Sequence, residues 1–162
     1  MAKVILVCGK ICSGKSYYAN LIKNSLNAVI ISPDEATYEL INNEQGEFYN
    51  IFSERLGKYL TKKVGEIAQA GANVIFERGL WTKKEREETV KYYKDRNIEC
   101  ELHYVCVDNE TWIKNIAERN KKVKESNGGS DFYLDEGLKE KLESMWEEPA
   151  ENEIDVIHKV NR

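Results

Sequence analysis

An apolar segment followed at once by a turn rich in glycine and lysine constrains the fold of this chain more than any other feature. Lys3–Cys8 reads KVILVC and Gly9–Ser16 reads GKICSGKS, which matches G-x-x-x-x-G-K-[ST] at every fixed position. The apolar run predicts a strand buried on both faces of a parallel sheet, and Ser16–Leu26 has a helical pattern. A strand, a glycine turn and a helix start in this order are typical of a phosphate-binding loop.

The spacing within this turn suits the binding of a triphosphate. Gly9 and Gly14 allow backbone N–H groups to turn inward, where a Cβ atom would obstruct an anion, and the positive end of the following helix adds to the attraction. We expect Lys15 to reach the β- and γ-phosphates of a nucleoside triphosphate and the Ser16 hydroxyl to ligate Mg²⁺. The nucleotide-binding residues predicted in the turn are Gly9, Lys10, Ile11, Cys12, Ser13, Gly14, Lys15 and Ser16.

Strand-like segments recur along the chain, and longer amphipathic stretches separate them. β-Branched and aromatic residues predict further strands at Ala28–Ser32, Ala72–Phe76, Cys100–Val107 and, as a shorter strand at the edge of the sheet, Glu153–Val160. The alternation predicts an α/β fold with three layers and a parallel five-stranded sheet. Together with the glycine turn, this arrangement resembles the fold of P-loop nucleoside triphosphatases. We expect one domain covering residues 1–162.

Helical patterns fill the intervals between these strands. Apolar spacing and capping residues predict helices from Ile51 to Ala68, over Lys83–Arg96 behind a Thr82 cap with Glu85 as its capping-box partner, and after Asp108 or Asn109. The charged segment Glu118–Asp131, ERNKKVKESNGGSD, is predicted from its composition to be a mobile loop.

Length, charge and cysteine content limit the classes of function. The chain of 162 residues is long enough to bury a core, and its longest apolar runs are strand-sized, far below the roughly 20 residues that span a bilayer. With no signal-peptide pattern either, we expect a cytoplasmic protein without a membrane partner. The net charge of −4 argues against a surface that binds mainly the nucleic-acid backbone. The four cysteines include no CxxC pair and predict free thiols rather than a zinc site.

A phosphate-binding loop is shared by molecular switches, motors and kinases, so the remaining sequence must distinguish them. The segment NKKV, Asn120–Val123, lacks the acid of the base-reading motif that a GTPase needs. The chain also has no hydrophobic strand ending in Asp-Glu, which a motor ATPase would carry. Its size and these differences favour a small kinase.

With these residues, the chain resembles the P-loop small-molecule kinases related to polynucleotide kinase, chloramphenicol phosphotransferase and zeta toxin. The resemblance covers nearly the whole length, and the phosphate-binding loop is its most specific part. It implies ATP as the phosphate donor, Mg²⁺ as the cofactor and the hydroxyl group of a small molecule as the acceptor. A nucleic-acid partner is disfavoured, and the expected state is a monomer or a homodimer.

Asp34, in the segment IISPDEATYEL, corresponds to an acid that the family places after its second strand to face the acceptor hydroxyl. Ligands of open parallel sheets gather at the carboxyl ends of the strands, and a carboxylate there can accept the proton of a hydroxyl. We therefore expect the strand that leads to Asp34 to lie beside the phosphate-binding loop, with Asp34 as the base. The alternative is that Asp34 caps the helix after Pro33.

The segment Asn73–Glu87 resembles the third strand of the family and the turn that follows it. Glu77 corresponds to an acid near the metal, which implies that it binds Mg²⁺ through water or serves as the base itself. Arg78, Trp81 and Arg86 are candidates for the acceptor pocket. Trp81 is equally compatible with core packing, and Arg86 with a solvated helix face.

The segment from Ile116 to Phe132 resembles the lid of these kinases, in which a helix ends in Arg-Asn and basic residues close over ATP. Arg119 is the best candidate for a catalytic lid residue that also binds the nucleotide. The family's further lid arginine is not matched, and Lys122 or Lys124 supplies a positive charge there instead, without the planar fork of arginine. We place the lid at about residues 118–134, with a solvated basic loop as the alternative.

Two other functions stay open at the level of the sequence. A nucleoside, nucleotide or polynucleotide 5′-OH kinase would differ only in the acceptor pocket, although Ala36–Tyr38 lacks the arginine that polynucleotide kinases place after the acid. An ATP-binding regulatory protein with little turnover would need no acceptor, and the missing lid arginine favours it. Production of ADP that depends on an added acceptor would distinguish the two classes.

Overall fold

The computed structural model describes residues 1–42, 44, 46–126 and 133–160. These residues contain five strands, six α-helices and one 3₁₀ helix. In chain order the elements are β1 (Lys3–Cys8), α1 (Lys15–Leu26), β2 (Ala28–Ile31), α2 (Pro33–Ile41), α3 (Tyr49–Gln69), β3 (Asn73–Glu77), α4 (Lys83–Lys94), β4 (Glu99–Val107), α5 (Asn109–Glu125), α6 (Glu136–Met145), the 3₁₀ helix Glu151–Glu153 and β5 (Val156–Val160).

The five strands form one sheet in the order β2-β3-β1-β4-β5, and every neighbouring pair is parallel. The central strand β1 pairs with β3 through Val4 and Val74 and with β4 through Val4 and Cys100. β5 lies at one edge, as its short alternating pattern predicts. The predicted α/β fold with a parallel five-stranded sheet is therefore confirmed.

The continuous apolar run of β1 is explained by helices on both faces of the sheet. Val4 and Leu6 pack with the residues of α3 and α4 in one buried cluster. Ile5 and Val7 point to the opposite face and pack with Tyr18 and other residues of α1. Because side chains alternate along a strand, only a strand covered on both faces needs an apolar residue at every position.

Local sequence signals fix several of the helix starts. Thr82 and Glu85 exchange hydrogen bonds with each other's backbone at the start of α4, as the capping box predicts. Asp108, rather than Asn109, caps α5 and accepts a hydrogen bond from the Thr111 N–H at 2.8 Å. At α2 the cap is Ser32 and Pro33 is the first helical residue, so the alternative in which Asp34 is the cap is wrong.

The prediction of a mobile loop over Glu118–Asp131 is wrong for its first half. Helix α5 continues through Arg119 to Glu125, and residues 127–132 lie outside the described part of the chain. Beyond them the sequence analysis missed α6, which begins after the Asp135 cap. The side-chain amide of Asn120 bonds both the N–H and the C=O of Leu134, at 2.7 and 2.8 Å. These two bonds attach the chain before α6 to α5.

The segment before β5 surrounds a buried arginine. It does not form the beginning of a strand. The Arg86 side chain is 1% exposed and donates hydrogen bonds to Glu153 Oε1 at 2.8 Å, Glu147 O at 2.8 Å and Leu80 O at 3.1 Å. Arg86 therefore neither lines an acceptor pocket nor lies on a solvated helix face. β5 starts at Val156, later than predicted, and Glu153 belongs instead to the 3₁₀ helix Glu151–Glu153.

No helix in the described residues is both long and apolar enough to cross a membrane.

We predict that Arg86→Met lowers the free energy of unfolding by about 3 kcal/mol, because removal of one partner leaves a buried carboxylate and backbone carbonyls without their donors. Urea denaturation followed by circular dichroism measures the change. Lys84→Met on the same helix is the matched control, since the Lys84 side chain is 82% exposed. Equal stability of the two variants would contradict the structural role of Arg86.

Candidate active site

The predicted phosphate-binding loop lies at the carboxyl end of β1 and leads directly into α1. Gly14 caps the helix with a left-handed φ of 99°, a conformation that glycine adopts at little cost. A Cβ atom on Gly9 would lie 2.6 Å from Ser13 Oγ and 2.8 Å from Val105 O, so only glycine fits. The strand, turn and helix expected from the sequence are present, and both fixed glycines have a structural reason.

Lys15 is folded back over its own loop. Its ammonium group donates hydrogen bonds to Gly9 O at 3.0 Å and Lys10 O at 2.7 Å. Burial lowers the pKa of Lys15, while the negative charges of Glu77 and Asp34 oppose the shift. The two carbonyls hold the Lys15 ammonium group against its own loop, and both predicted acids act on its charge.

Ser16, at the start of α1, and Glu77, at the end of β3, are in direct contact. Glu77 ends β3, the direct neighbour of β1, and its Oε1 accepts a hydrogen bond from Ser16 Oγ at 2.5 Å. Burial raises the pKa of Glu77, partly offset by the Ser16 hydrogen bond and the Lys15 charge. Two residues predicted to be near the metal are thus in direct contact.

Asp34 follows β2, which is an edge strand of the sheet. β3 separates β2 from β1, so the strand that leads to Asp34 does not lie beside the phosphate-binding loop, and that expectation is wrong. Asp34 occupies the exposed first turn of α2. Its charge nevertheless opposes the lowering of the Lys15 pKa that burial causes, and it adds to the raised pKa of Glu77.

Helix α5 carries the predicted lid residues Arg119 and Lys122 and brings Arg119 into contact with the loop. Arg119 Nη1 contacts Cys12 Sγ at 3.4 Å, and Lys122 is exposed in the last turn of the helix. Lys10 Nζ lies 4.6 Å from the centre of the Trp112 ring. The structure therefore joins Arg119 to the phosphate-binding loop, and Lys122 follows it on a helix instead of a loop.

The two remaining acceptor-pocket candidates have structural contacts. Arg78 Nη1 donates to Thr61 Oγ1 on α3 at 3.2 Å. Trp81 packs edge-on against Trp146 with ring centres 5.7 Å apart, which matches its alternative as a packed core residue. The Arg78 side chain is thus bound to α3, and the Trp81 ring is engaged by the segment that surrounds Arg86.

The profile of a family described as AAA domain matches residues 4–132 of the chain. The chain belongs to this AAA domain family. The matched range includes the phosphate-binding loop, Asp34, Glu77 and Arg119. None of the curated proteins matches the sequence.

Solved structures show a P-loop kinase fold for this member of the AAA domain family. A candidate kinase from Chloroflexus aurantiacus has a TM-score of 0.73 at 15% identity, covering 98% of this chain and 87% of its own. APS kinase from Mycobacterium tuberculosis, solved with AMPPNP and APS, has a TM-score of 0.67 at 15% identity, with coverage of 99% and 90%. Shikimate kinase from Aquifex aeolicus has a TM-score of 0.56 at 18% identity, with coverage of 96% and 85%. The resemblance to P-loop kinases is thereby confirmed.

Two residues of this AAA domain protein that contact the loop were not predicted from the sequence. Trp112 Nε1 donates to Ile11 O at 2.7 Å, and Asn115 Nδ2 donates to Cys12 O at 3.0 Å. The available signal was their spacing, since Trp112, Asn115 and Arg119 lie three and four residues apart and share one helix face.

We predict that Gly9→Ala weakens ADP binding at least about tenfold, because the added Cβ forces the loop to move away from Ser13 and Val105 and disturbs its inward N–H groups. Isothermal titration calorimetry measures the affinity. Gly46→Ala is the matched control, since a Cβ atom there meets nothing within 4 Å. A Gly9→Ala protein that binds ADP as tightly as the Gly46→Ala protein would contradict the role of the loop.

Proposed function

We propose that the protein is an ATP-dependent phosphotransferase that moves the γ-phosphate of ATP to a hydroxyl group of a small molecule. The observation that carries the proposal is the convergence of Lys15, Ser16 and Glu77 at the carboxyl ends of the adjacent strands β1 and β3. Ligands bind at such strand ends in open parallel sheets. The cation and the hydroxyl belong to the phosphate-binding loop, and the carboxylate reaches them from the end of β3.

The Ser16–Glu77 pair fits a magnesium ion. Both groups offer oxygen atoms, which this hard cation prefers, and the short contact between them brings a hydroxyl and a carboxylate to one point. The described residues include no group of three or more His, Cys, Asp or Glu that would hold a metal alone. This suits Mg²⁺, which usually takes one or two protein ligands together with water and phosphate oxygens. When bound, it would neutralise charge on the transferring phosphoryl group.

Lys15, within the loop, and Arg119, on α5, would both supply positive charge to the bound phosphates. Lys15 would exchange its bonds to the Gly9 and Lys10 carbonyls for phosphate oxygens, and Arg119 would stabilise the charge that develops during transfer. Arg119 already contacts Cys12 within the loop. The described part of the proposed lid is the carboxyl-terminal part of α5, including Lys122, and residues 127–132 of the predicted lid lie outside the described residues.

Asp34 would receive the proton that the acceptor hydroxyl loses. The acceptor oxygen forms a bond to the γ-phosphorus, the bond from that phosphorus to the bridging oxygen breaks, and ADP leaves. Glu77 is engaged by Ser16 and lies beside the proposed metal, which leaves the exposed carboxylate of Asp34 as the better base. The net charge of −4 supports a small molecule over a nucleic acid. APS kinase and shikimate kinase, both similar in fold, are named for small-molecule substrates.

The acceptor can be sought with an ATP-consumption screen over alcohols, sugars, nucleosides and oligonucleotides with a free 5′-hydroxyl. The proposal expects ADP to form only when one of the small molecules is added. ADP formation with oligonucleotides alone would favour a polynucleotide kinase. ATP binding with no turnover on any compound would favour a regulatory protein.

We predict that Lys15→Ala weakens ATP–Mg²⁺ binding by roughly 10- to 100-fold, the range expected from loss of a charge-assisted hydrogen bond, and abolishes turnover. Calorimetry gives the affinity, and circular dichroism verifies the fold. Lys23→Ala, an exposed position in the last turn of the same helix, is the matched control. An unchanged ATP affinity in folded Lys15→Ala would refute the assignment of the loop.

The two acids can be separated by single-turnover transfer at varied Mg²⁺ concentration. Asp34→Asn should keep ATP affinity and lose roughly 10²- to 10⁴-fold in transfer rate at every Mg²⁺ concentration, as expected for a general base. Glu77→Gln should instead need more Mg²⁺, because it loses a charged oxygen beside the metal. Normal transfer by Asp34→Asn together with no transfer by Glu77→Gln at any Mg²⁺ concentration would reverse the two roles.

A further inference from the structure

One face of α5 holds the backbone of the phosphate-binding loop. The Trp112 indole N–H donates to Ile11 O at 2.7 Å, and the Asn115 side-chain amide donates to Cys12 O at 3.0 Å. The Trp112 side chain is 2% exposed, and Ile11 and Cys12 pack against its cluster. These bonds join positions more than a hundred residues apart in the chain, which local folding does not bring together.

The segment that receives these bonds is a tight turn in an uncommon conformation. The Ser13 N–H donates to Lys10 O at 3.2 Å, which closes a four-residue turn. Cys12, the third residue, has a φ of 59°, and Ile11 is not among the residues with positive φ. A positive φ at the third position alone is the signature of a type II turn, which normally requires glycine or asparagine there. Cysteine carries a Cβ atom and pays a steric cost in this region.

Trp112 and Asn115 hold the two peptide planes that flank Cys12. Rotation of the Ile11–Cys12 plane is what distinguishes a type II from a type I turn, in which the third residue has a negative φ. Because a trans peptide is planar, a donor that fixes Ile11 O also fixes the Cys12 N–H on the opposite side, away from α5. The Asn115 bond to Cys12 O fixes the next plane in the same way. Together the two side chains set both backbone dihedrals of Cys12.

We propose that Trp112 and Asn115 are positioning residues for phosphate binding, which keep Cys12 left-handed so that its N–H faces the bound nucleotide. The inference rests on the proposed function, since it requires the loop to bind phosphates. It assigns a role to α5 that is separate from any contact between Arg119 and the nucleotide. Trp112 and Asn115 act through the loop and do not themselves touch the phosphates.

The inference is tested by removing the indole N–H of Trp112 from two variant proteins. In one of them residue 12 adopts a positive φ freely, and in the other a positive φ at residue 12 is sterically unfavourable. Trp112→Phe keeps an aromatic ring in the cluster and is combined with Cys12→Gly and, separately, with Cys12→Ala. Both changes at Cys12 remove the thiol that contacts Arg119, but only glycine adopts the left-handed region freely. Calorimetry measures the affinity for ADP with Mg²⁺ and for inorganic tripolyphosphate.

Trp112→Phe should weaken both ligands roughly 3- to 10-fold in the otherwise unmodified chain and in the Cys12→Ala background, as expected for one lost hydrogen bond. In the Cys12→Gly background the loss should shrink to less than about twofold, because the turn keeps its shape without the donor. Asn115→Ala is measured in the same backgrounds and replaces Trp112→Phe if that variant does not fold.

Three results would overturn the inference. Full affinity of both Trp112→Phe and Asn115→Ala, in a chain that binds ADP, would show that the bonds to the loop do not matter. The same loss in the glycine and alanine backgrounds would show that α5 supports the fold without setting the conformation of Cys12. An unmodified chain that binds neither ADP nor tripolyphosphate would overturn the proposed function and this inference together.

Discussion

Burial of β1 between two sheet neighbours and two helical layers is the constraint on which the rest of the structure depends. Its pairing with β3 and β4 fixes the direction in which the chain leaves the sheet, and the glycine turn follows at that point. Because parallel strands end at one edge, the same pairing brings Glu77 to Ser16. The position of the site is thus a consequence of how the central strand is packed.

The elements with strong local signals could be predicted from the sequence. β1 is apolar at every position, the capping box of Thr82 and Glu85 marks the start of α4, and the glycine turn is bounded by a strand and a helix. Each signal lies within a few residues of the structure that it specifies. The phosphate-binding loop could be expected on the same grounds, whereas the place of Glu77 near the metal is implied only by the resemblance to the kinase family.

Features that depend on distant partners could not be predicted in this way. The order of the strands places β3 between β1 and β2, and no local pattern distinguishes this order from the one with β2 beside β1. Arg86 has the sequence context of an exposed helix residue, but its partners Glu147 and Glu153 lie more than sixty residues later. α6 did carry a signal in the spacing of Leu134, Leu138 and Leu142, which pack together, but high charge concealed it.

The bonds from α5 to the loop require particular residues of this helix to face the loop. They therefore restrict the rotation of the helix about its axis more than they restrict its length. One residue inserted between Trp112 and Arg119 would extend the helix by only about 1.5 Å but would turn everything after it by about 100° around the axis. Arg119 would then face away from Cys12. A deletion would have the same effect in the other direction. Natural variants of this protein should therefore change the length of α5 after Arg119, where rotation disconnects nothing from the loop, and keep the interval from Trp112 to Arg119 constant.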